Sequence, residues 1–146
     1  MSVMVADFAQ EDGRRQVTTQ LRFPQPPPGL LNLRHFELTA LDDAGYLFAM
    51  RSTERPEVRL FVVPAHPYFP EYAPRLDSST RETLGVDESD ALLLVVVHPG
   101  RDGEPPTANL LAPMVVNPST GAALQVVLDG DEWPLRAPFV AVDSAA

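Results

Sequence analysis

The sequence predicts an all-β fold, a small antiparallel twisted β-barrel with one short helix, and three observations support this prediction. Short runs rich in β-branched and aromatic residues recur along the 146-residue chain, separated by polar, Gly- or Pro-containing turns. One run, residues 91–98 (ALLLVVVH), is apolar throughout, so we expect a strand that is covered on both faces. Long helical segments do not alternate with these runs, which argues against a parallel sheet. A β-sandwich is the second architecture that fits the pattern.

The first half of the chain predicts two β-hairpins. Residues 2–8 and 16–22 alternate apolar with polar side chains around a turn, which is typical of a half-buried hairpin, and we place both strands at an edge. Residues 35–41 and 46–51 are aromatic-rich and flank a turn that contains Asp and Gly, which predicts the second hairpin. Residues 58–63 (VRLFVV) predict a further strand beside it.

Two proline-containing segments interrupt these strands. Residues 23–33 (FPQPPPGLLNL) predict a rigid connecting loop, because proline cannot donate to a β-ladder; a proline-rich signalling ligand is the alternative. Residues 65–72 (AHPYFPEY) alternate aromatic residues with prolines and predict no regular structure. This second segment either covers an open end of the barrel or presents aromatic side chains to a partner.

Residues 77–85 (DSSTRETLG) predict the one helix, of about two turns. Asp77 or Ser78 is a candidate N-cap, Glu82 follows Ser79 as in a capping box, and Gly85 can end the helix in the left-handed conformation.

The second half of the chain predicts a meander of strands. Three apolar runs are separated by polar turns and should pair in order: 91–98, 107–117 and 122–129. Residues 133–142 contain two prolines, so we place them at an edge or in a tail. We expect one domain over residues 1–146, with a Pro-rich loop at 23–33 and a candidate flexible tail at 139–146.

The composition limits the possible functions. The formal net charge is -9, from 11 basic and 20 acidic residues, and every basic residue is Arg. Such a chain repels polyanions, so direct nucleic-acid binding is disfavoured and a basic partner is attracted. Cys is absent, which removes disulfides and thiolate chemistry and fits a reducing compartment. Because the first residues lack the features of a signal peptide and no apolar run has membrane-spanning length, we expect a soluble cytoplasmic protein.

The chemistry-bearing residues do not predict an active site. His35, His66 and His98 are isolated from one another, whereas metal ligands usually include a locally spaced pair, so we expect no metal and no cofactor. The acidic turn at 129–132 is too short for a calcium loop of the EF-hand type. A binding or regulatory module is therefore favoured over an enzyme. A metal-dependent barrel and a small-ligand carrier remain the alternatives.

Several motifs resemble those of FliW, the flagellar assembly factor family. The segments NLLAPMVVNP (109–118) and QVVLD (125–129) are similar to that family's NLLAPIVIN…QVVLD signature. Other short segments resemble motifs of the same family and occur in the same order along the chain. These segments are the FP at 23–24, the PG at 28–29, Phe36, the FVV at 61–63, Pro67, Phe69-Pro70, Tyr72 and the LGV at 84–86. The chain departs from the family at Pro26-Pro27 and Leu30-Leu31, which leaves open what that loop recognises.

The resemblance implies a cytoplasmic, non-enzymatic β-barrel, monomeric when free, that acts by exchanging protein partners. It implies binding to the RNA-binding translational regulator CsrA, which relieves repression of flagellin mRNA, and binding to flagellin, which takes the protein away from CsrA. Neither nucleic acid nor a membrane is an implied partner. Linked binding equilibria would suffice for this regulation.

Six residues form the candidate partner-binding set. An aromatic loop with an acid offers an apolar anchor and a charge for an Arg or Lys, and two asparagines flank the signature strand. The set is Phe69, Pro70, Glu71, Tyr72, Asn109 and Asn117. The alternative role of the asparagines is hydrogen bonding in turns and at strand ends.

Overall fold

A computed structural model describes residues 18–27, 30, 32–43, 45–100, 102–128 and 132–139. These residues contain nine strands and two short helices, which are β1 (Thr18–Arg22), β2 (His35–Ala40), β3 (Phe48–Ser52), β4 (Arg59–Pro64), α1 (Ala65–Tyr68), α2 (Ser78–Leu84), β5 (Leu92–His98), β6 (Thr107–Ala108), β7 (Met114–Val116), β8 (Ala123–Gln125) and β9 (Ala137–Pro138). The strand predicted at 2–8 and most of the predicted tail lie outside the described residues.

The strands form one antiparallel sheet that curls into a nearly closed barrel. β1 to β5 pair in chain order, and β5 then pairs along its other edge with β7 near its start and with β6 at its end. β8 pairs with β7, and β9 with β6. A parallel bridge joins Arg22 to Ala122, and the Arg22 N–H donates to the Gly121 carbonyl over 2.9 Å. The predicted all-β barrel is confirmed.

β5 is buried on both faces, as its apolar sequence predicts. Leu94 and Val96 point into the barrel, while Val95 belongs to a second apolar cluster outside it. The barrel interior is filled by side chains, and its largest members include Phe23 and Phe36, whose rings pack edge to face at 5.5 Å.

The three apolar runs of the second half pair in the predicted order, since β5 pairs with β7 and β7 pairs with β8. The run at 107–117 is two short strands instead of one, because the Asn109 Oδ1 accepts the backbone N–H groups of Leu111 and Ala112, each over 3.1 Å. Side-chain hydrogen bonds of this kind compete with a β-ladder. Pro113 also has no N–H to donate. The resulting break lets β6 and β7 pair with different parts of β5.

The predicted helix is α2, and its ends are those that the sequence indicates. The Asp77 Oδ1 accepts the Thr80 N–H over 2.8 Å, and this backbone hydrogen bond lowers the pKa of Asp77. Gly85 ends the helix at φ 68°. Neither helix in the described part of the chain is long and apolar enough to cross a membrane.

The other helix, α1, is not predicted by the sequence. It is a single turn that begins directly after Pro64 and contains Pro67. Proline is tolerated in the first turn of a helix because its N–H would have no intrahelical partner there. A segment this short shows no helical periodicity, so its prolines indicate a loop.

Gly121 provides a test of the seam between β1 and the β7–β8 turn. Its φ is 84°, and a Cβ there would clash with the Gln20 carbonyl oxygen, whereas Gly103, with φ 83°, has open space around the same position. We expect G121A to lower the free energy of unfolding by about 2–4 kcal/mol and G103A by about 1 kcal/mol, the cost of the left-handed conformation alone. Urea unfolding measures both, and equal losses would contradict a tightly packed seam.

Candidate functional site

The aromatic loop, residues 69–72, lies on the connection between β4 and β5, directly after α1. The Phe69 N–H donates to the Ala65 carbonyl over 2.8 Å, and the Tyr72 N–H donates to the Phe69 carbonyl over 2.9 Å. These two bonds fold the loop back on the helix. The loop is therefore an ordered turn.

Tyr72 anchors this loop to the barrel. Its side chain is buried, its hydroxyl donates to the Leu110 carbonyl over 2.5 Å, and its ring packs edge to face on Trp133 at 4.7 Å. Burial disfavours the phenolate and raises the pKa of Tyr72 above its usual value. Tyr72 thus makes its polar and aromatic contacts within the molecule.

The accessible part of the loop is Pro70 and Glu71, whose side chains are exposed. Phe69 is half-buried and packs on Phe139 at a centroid distance of 5.8 Å. A partner would therefore meet an acid and a proline held in place by two aromatic residues packed behind them.

Both candidate asparagines make structural hydrogen bonds. Asn109 holds the turn that separates β6 from β7, as described above. Asn117 is buried, and its Nδ2 donates to the Leu84 carbonyl over 2.8 Å and to the Gly85 carbonyl over 3.3 Å, while its Oδ1 accepts the Ser119 N–H over 2.9 Å. Asn117 therefore ties the end of α2 to the β7–β8 turn.

The structure brings some of the six candidates together and separates others. The Tyr72 hydroxyl reaches Leu110, so the aromatic loop lies beside the turn that contains Asn109. Asn117 instead lies at the end of α2 and lines a different surface. The six residues are thus divided between two regions of the barrel.

This second surface is an open groove of about 710 Å³ between α2 and the β7–β8 turn. Three carboxylates line it, from Glu82, Asp87 and Asp90, against one guanidinium, from Arg81. The sequence predicts Glu82 only as a capping residue of the helix, and Asp87 and Asp90 are missed as candidate site residues. The surplus of acidic residues over 78–90 was the available signal.

The histidines do not converge. His35 Nδ1 lies 3.6 Å from the Glu54 Oε2, His66 is on α1, and His98 ends β5. The backbone N–H groups of Arg34 and His35 donate to Glu54 and lower the pKa of that carboxyl. Within the described ranges, no group of three or more His, Cys, Asp or Glu side chains is placed to hold a metal ion.

Replacing Tyr72 by Phe tests whether the residue is an anchor or a contact. Y72F keeps the ring on Trp133 but leaves the buried Leu110 carbonyl without its donor, so we expect a loss of about 1–2 kcal/mol in the free energy of unfolding. Urea unfolding followed by the fluorescence of Trp133, the single Trp, measures this loss.

The matched control is Y46F, because the Tyr46 hydroxyl makes no hydrogen bond within the part of the chain that the structure describes; we expect a change of less than about 0.5 kcal/mol. If Y72F is as stable as Y46F, the anchoring role is wrong.

Known proteins are similar to this chain in both sequence and fold. The model of the FliW protein family matches residues 9–139. The flagellar assembly factor FliW 2 of Desulfotalea psychrophila is 30% identical over 122 residues, which cover 84% of this chain and 81% of the relative. The flagellar assembly factor FliW of Geobacillus sp. (strain WCH70) is 33% identical over 117 residues, 80% of this chain and 81% of the relative.

A solved structure agrees with these sequence relationships. The crystal structure of a flagellar assembly factor FliW superimposes with a TM-score of 0.74 at 29% identity, and the match covers 82% of this chain and 84% of the other. The chain belongs to the FliW family of flagellar assembly factors.

Proposed function

We propose that this chain is a cytoplasmic, non-enzymatic regulator of flagellar assembly that binds the translational repressor CsrA and flagellin in exchange. The observation that carries the proposal is membership of the FliW family, whose model matches residues 9–139. Binding to CsrA keeps that repressor from flagellin mRNA. Flagellin that has not been secreted occupies the protein and returns CsrA to the mRNA.

Two linked binding equilibria are sufficient for this control. When CsrA and flagellin cannot be held together, each lowers the apparent affinity for the other, and the coupling is reciprocal. The concentration of free flagellin then sets how much CsrA is released. No bond is made or broken, and the fold only has to present its outer surface.

The charge distribution supports binding to CsrA. A protein that binds RNA presents basic surface to the phosphates. This chain carries a net charge of -9, an exposed Glu71 on the aromatic loop, and a groove with three carboxylates beside α2. Opposite potentials raise the association rate and disfavour unsuitable partners.

The filled barrel supports a surface role over that of a small-ligand carrier. A carrier needs a deep cavity lined by apolar side chains. Here the interior contains Phe23, Phe36 and Phe48, each with 0% of its surface exposed. Binding to macromolecules on the outside requires no such cavity.

A pull-down with purified components tests the exchange. We expect the immobilised protein to retain CsrA, and increasing flagellin to displace CsrA in proportion to its own binding. Isothermal titration of each partner alone supplies the two affinities. If the immobilised protein binds neither CsrA nor flagellin, the proposed function is wrong. If it retains both together at saturation, the proposed exchange is wrong.

Reversing the charge of Glu71 tests its place in the CsrA interface. We expect E71R to weaken CsrA binding about three- to tenfold at about 50 mM salt and much less at about 500 mM, because salt screens exposed charges. If the CsrA affinity of E71R has the same salt dependence as that of the wild type, Glu71 does not belong to the interface.

The matched control is E57R, which makes the same change in net charge on the turn before β4, at the opposite end of that strand from the loop. Glu57 is exposed and pairs with Arg55, a surface ion pair that contributes little to stability. We expect E57R to bind CsrA like the wild type.

A further inference from the structure

An apolar groove of about 300 Å³ lies on the outside of the barrel, over β4 and β5. Its walls include the rings of Phe61, Tyr68 and Phe139 and the side chains of Leu47 and Val97. Every residue that lines it is aliphatic, aromatic or proline. The aromatic loop and the acidic groove do not include this surface.

The register of the strands places this groove outside the barrel core. Phe61 is opposite Val97 in the β4–β5 pairing, whereas Val62 and Val96, one residue away on each strand, point into the barrel interior. Filling the groove would therefore leave the core packing intact.

The apolar surface extends beyond the groove to Leu41. The Leu41 N–H donates to the Leu47 carbonyl over 2.8 Å, so the two residues are cross-strand neighbours. Leu41 is 48% exposed, and it is one of three large hydrophobic residues with high exposure in the described part of the chain. A contiguous exposed apolar surface of this kind is typical of a protein interaction site.

One arginine contacts a ring that lines the groove, and a second arginine lies opposite it in the sheet. The Arg59 guanidinium lies 5.1 Å from the centre of the Phe61 ring, and Arg51 is directly opposite Arg59 on β3. Like charges opposite one another in a sheet are destabilising. Glu37 faces Arg51 from β2 but binds the Gln20 amide at 3.3 Å. Among the described residues, neither arginine forms an ion pair.

We propose that this groove is the docking surface for flagellin, through a segment that presents apolar side chains and a carboxylate. The proposal rests on the proposed function and assigns one of its two partners to a place. In a chain of net charge -9, an arginine pair beside an apolar groove selects an acidic partner segment. A basic RNA-binding protein is disfavoured here by like charge.

Arg59 is the residue placed to bind the carboxylate. Its guanidinium lies over the Phe61 ring, and an arginine can bind a carboxylate through two N–H groups at once. A carboxylate there would also relieve the repulsion between Arg59 and Arg51.

Titration of flagellin and of CsrA, each separately, into the full-length variants tests this assignment. We expect R59E and L41E each to weaken flagellin binding about tenfold or more and to leave CsrA binding within about twofold of the wild type. Raising the salt concentration should weaken flagellin binding to the wild type more than to R59E.

Two matched controls separate the groove from general effects. R75E makes the same charge change at an exposed arginine outside the groove, and V127E replaces another exposed apolar residue, which is 62% exposed. We expect both to bind flagellin like the wild type. Equal losses in the controls would overturn the assignment.

The remaining outcomes distinguish the two proposals. If the wild type does not bind flagellin, the proposed function fails for that partner and the groove assignment fails with it. If the wild type binds flagellin and R59E and L41E bind equally well, only the groove assignment is overturned. A wild-type dimer that L41E dissociates assigns the groove to a second copy.

Discussion

The two-sided burial of β5 is the constraint on which the rest of this structure depends. Leu94 and Val96 pack inside the barrel, while Val95 packs in the outer cluster with Tyr72. Burying each such side chain stabilises the fold by about 1.5–3 kcal/mol. In a single uncovered sheet, a strand with no polar face would expose apolar side chains to water on one side. An outer layer of helix, loop and short strands is therefore required, and the surfaces available to partners belong to that layer.

The outer layer is ordered by hydrogen bonds from side chains to backbone carbonyls. Tyr72 reaches the Leu110 carbonyl, and Asn117 reaches the Leu84 carbonyl at the end of α2. In each case a buried polar side chain satisfies a carbonyl that would otherwise be unpaired. Candidate contact residues thus have structural roles, and a loss of partner binding in their variants must be separated from a loss of stability.

The sequence predicts features that depend on local chemistry. The apolar run of β5 and the cap residues Asp77 and Gly85 are sufficient to place a central strand and α2. The one-turn helix α1 is too short to show a helical period of apolar residues, and Pro67 within it indicates a loop instead. The break between β6 and β7 depends on one side chain, Asn109, whose competing hydrogen bonds cannot be distinguished in advance from those of any other turn residue.

The candidate surfaces are less predictable because topology assembles them from distant segments. The external groove combines Leu47, Phe61 and Phe139, which come together only once β3, β4 and β9 are placed around β5. A pattern within one segment cannot indicate such a surface. The charged wall of the acidic groove comes from one continuous segment, residues 78–90, so its acidity can be read from the sequence. The opposite wall is formed by Asn117 and the turn that follows it, and only the fold brings the two walls together.

The position of Phe139 supplies a physical reason why the two proposed partners would exclude each other. Phe139 lines the external groove and packs on both Tyr68 and Phe69, so the groove and the aromatic loop share a wall. A protein segment seated in the groove would lie against the same residues that support Glu71. Two proteins on adjoining surfaces compete by overlap, and the fold needs no second conformation to couple them. The charges beside them are opposite, with Glu71 exposed on the loop and Arg59 over Phe61 at the groove, and under the proposed function each charge would favour a different partner.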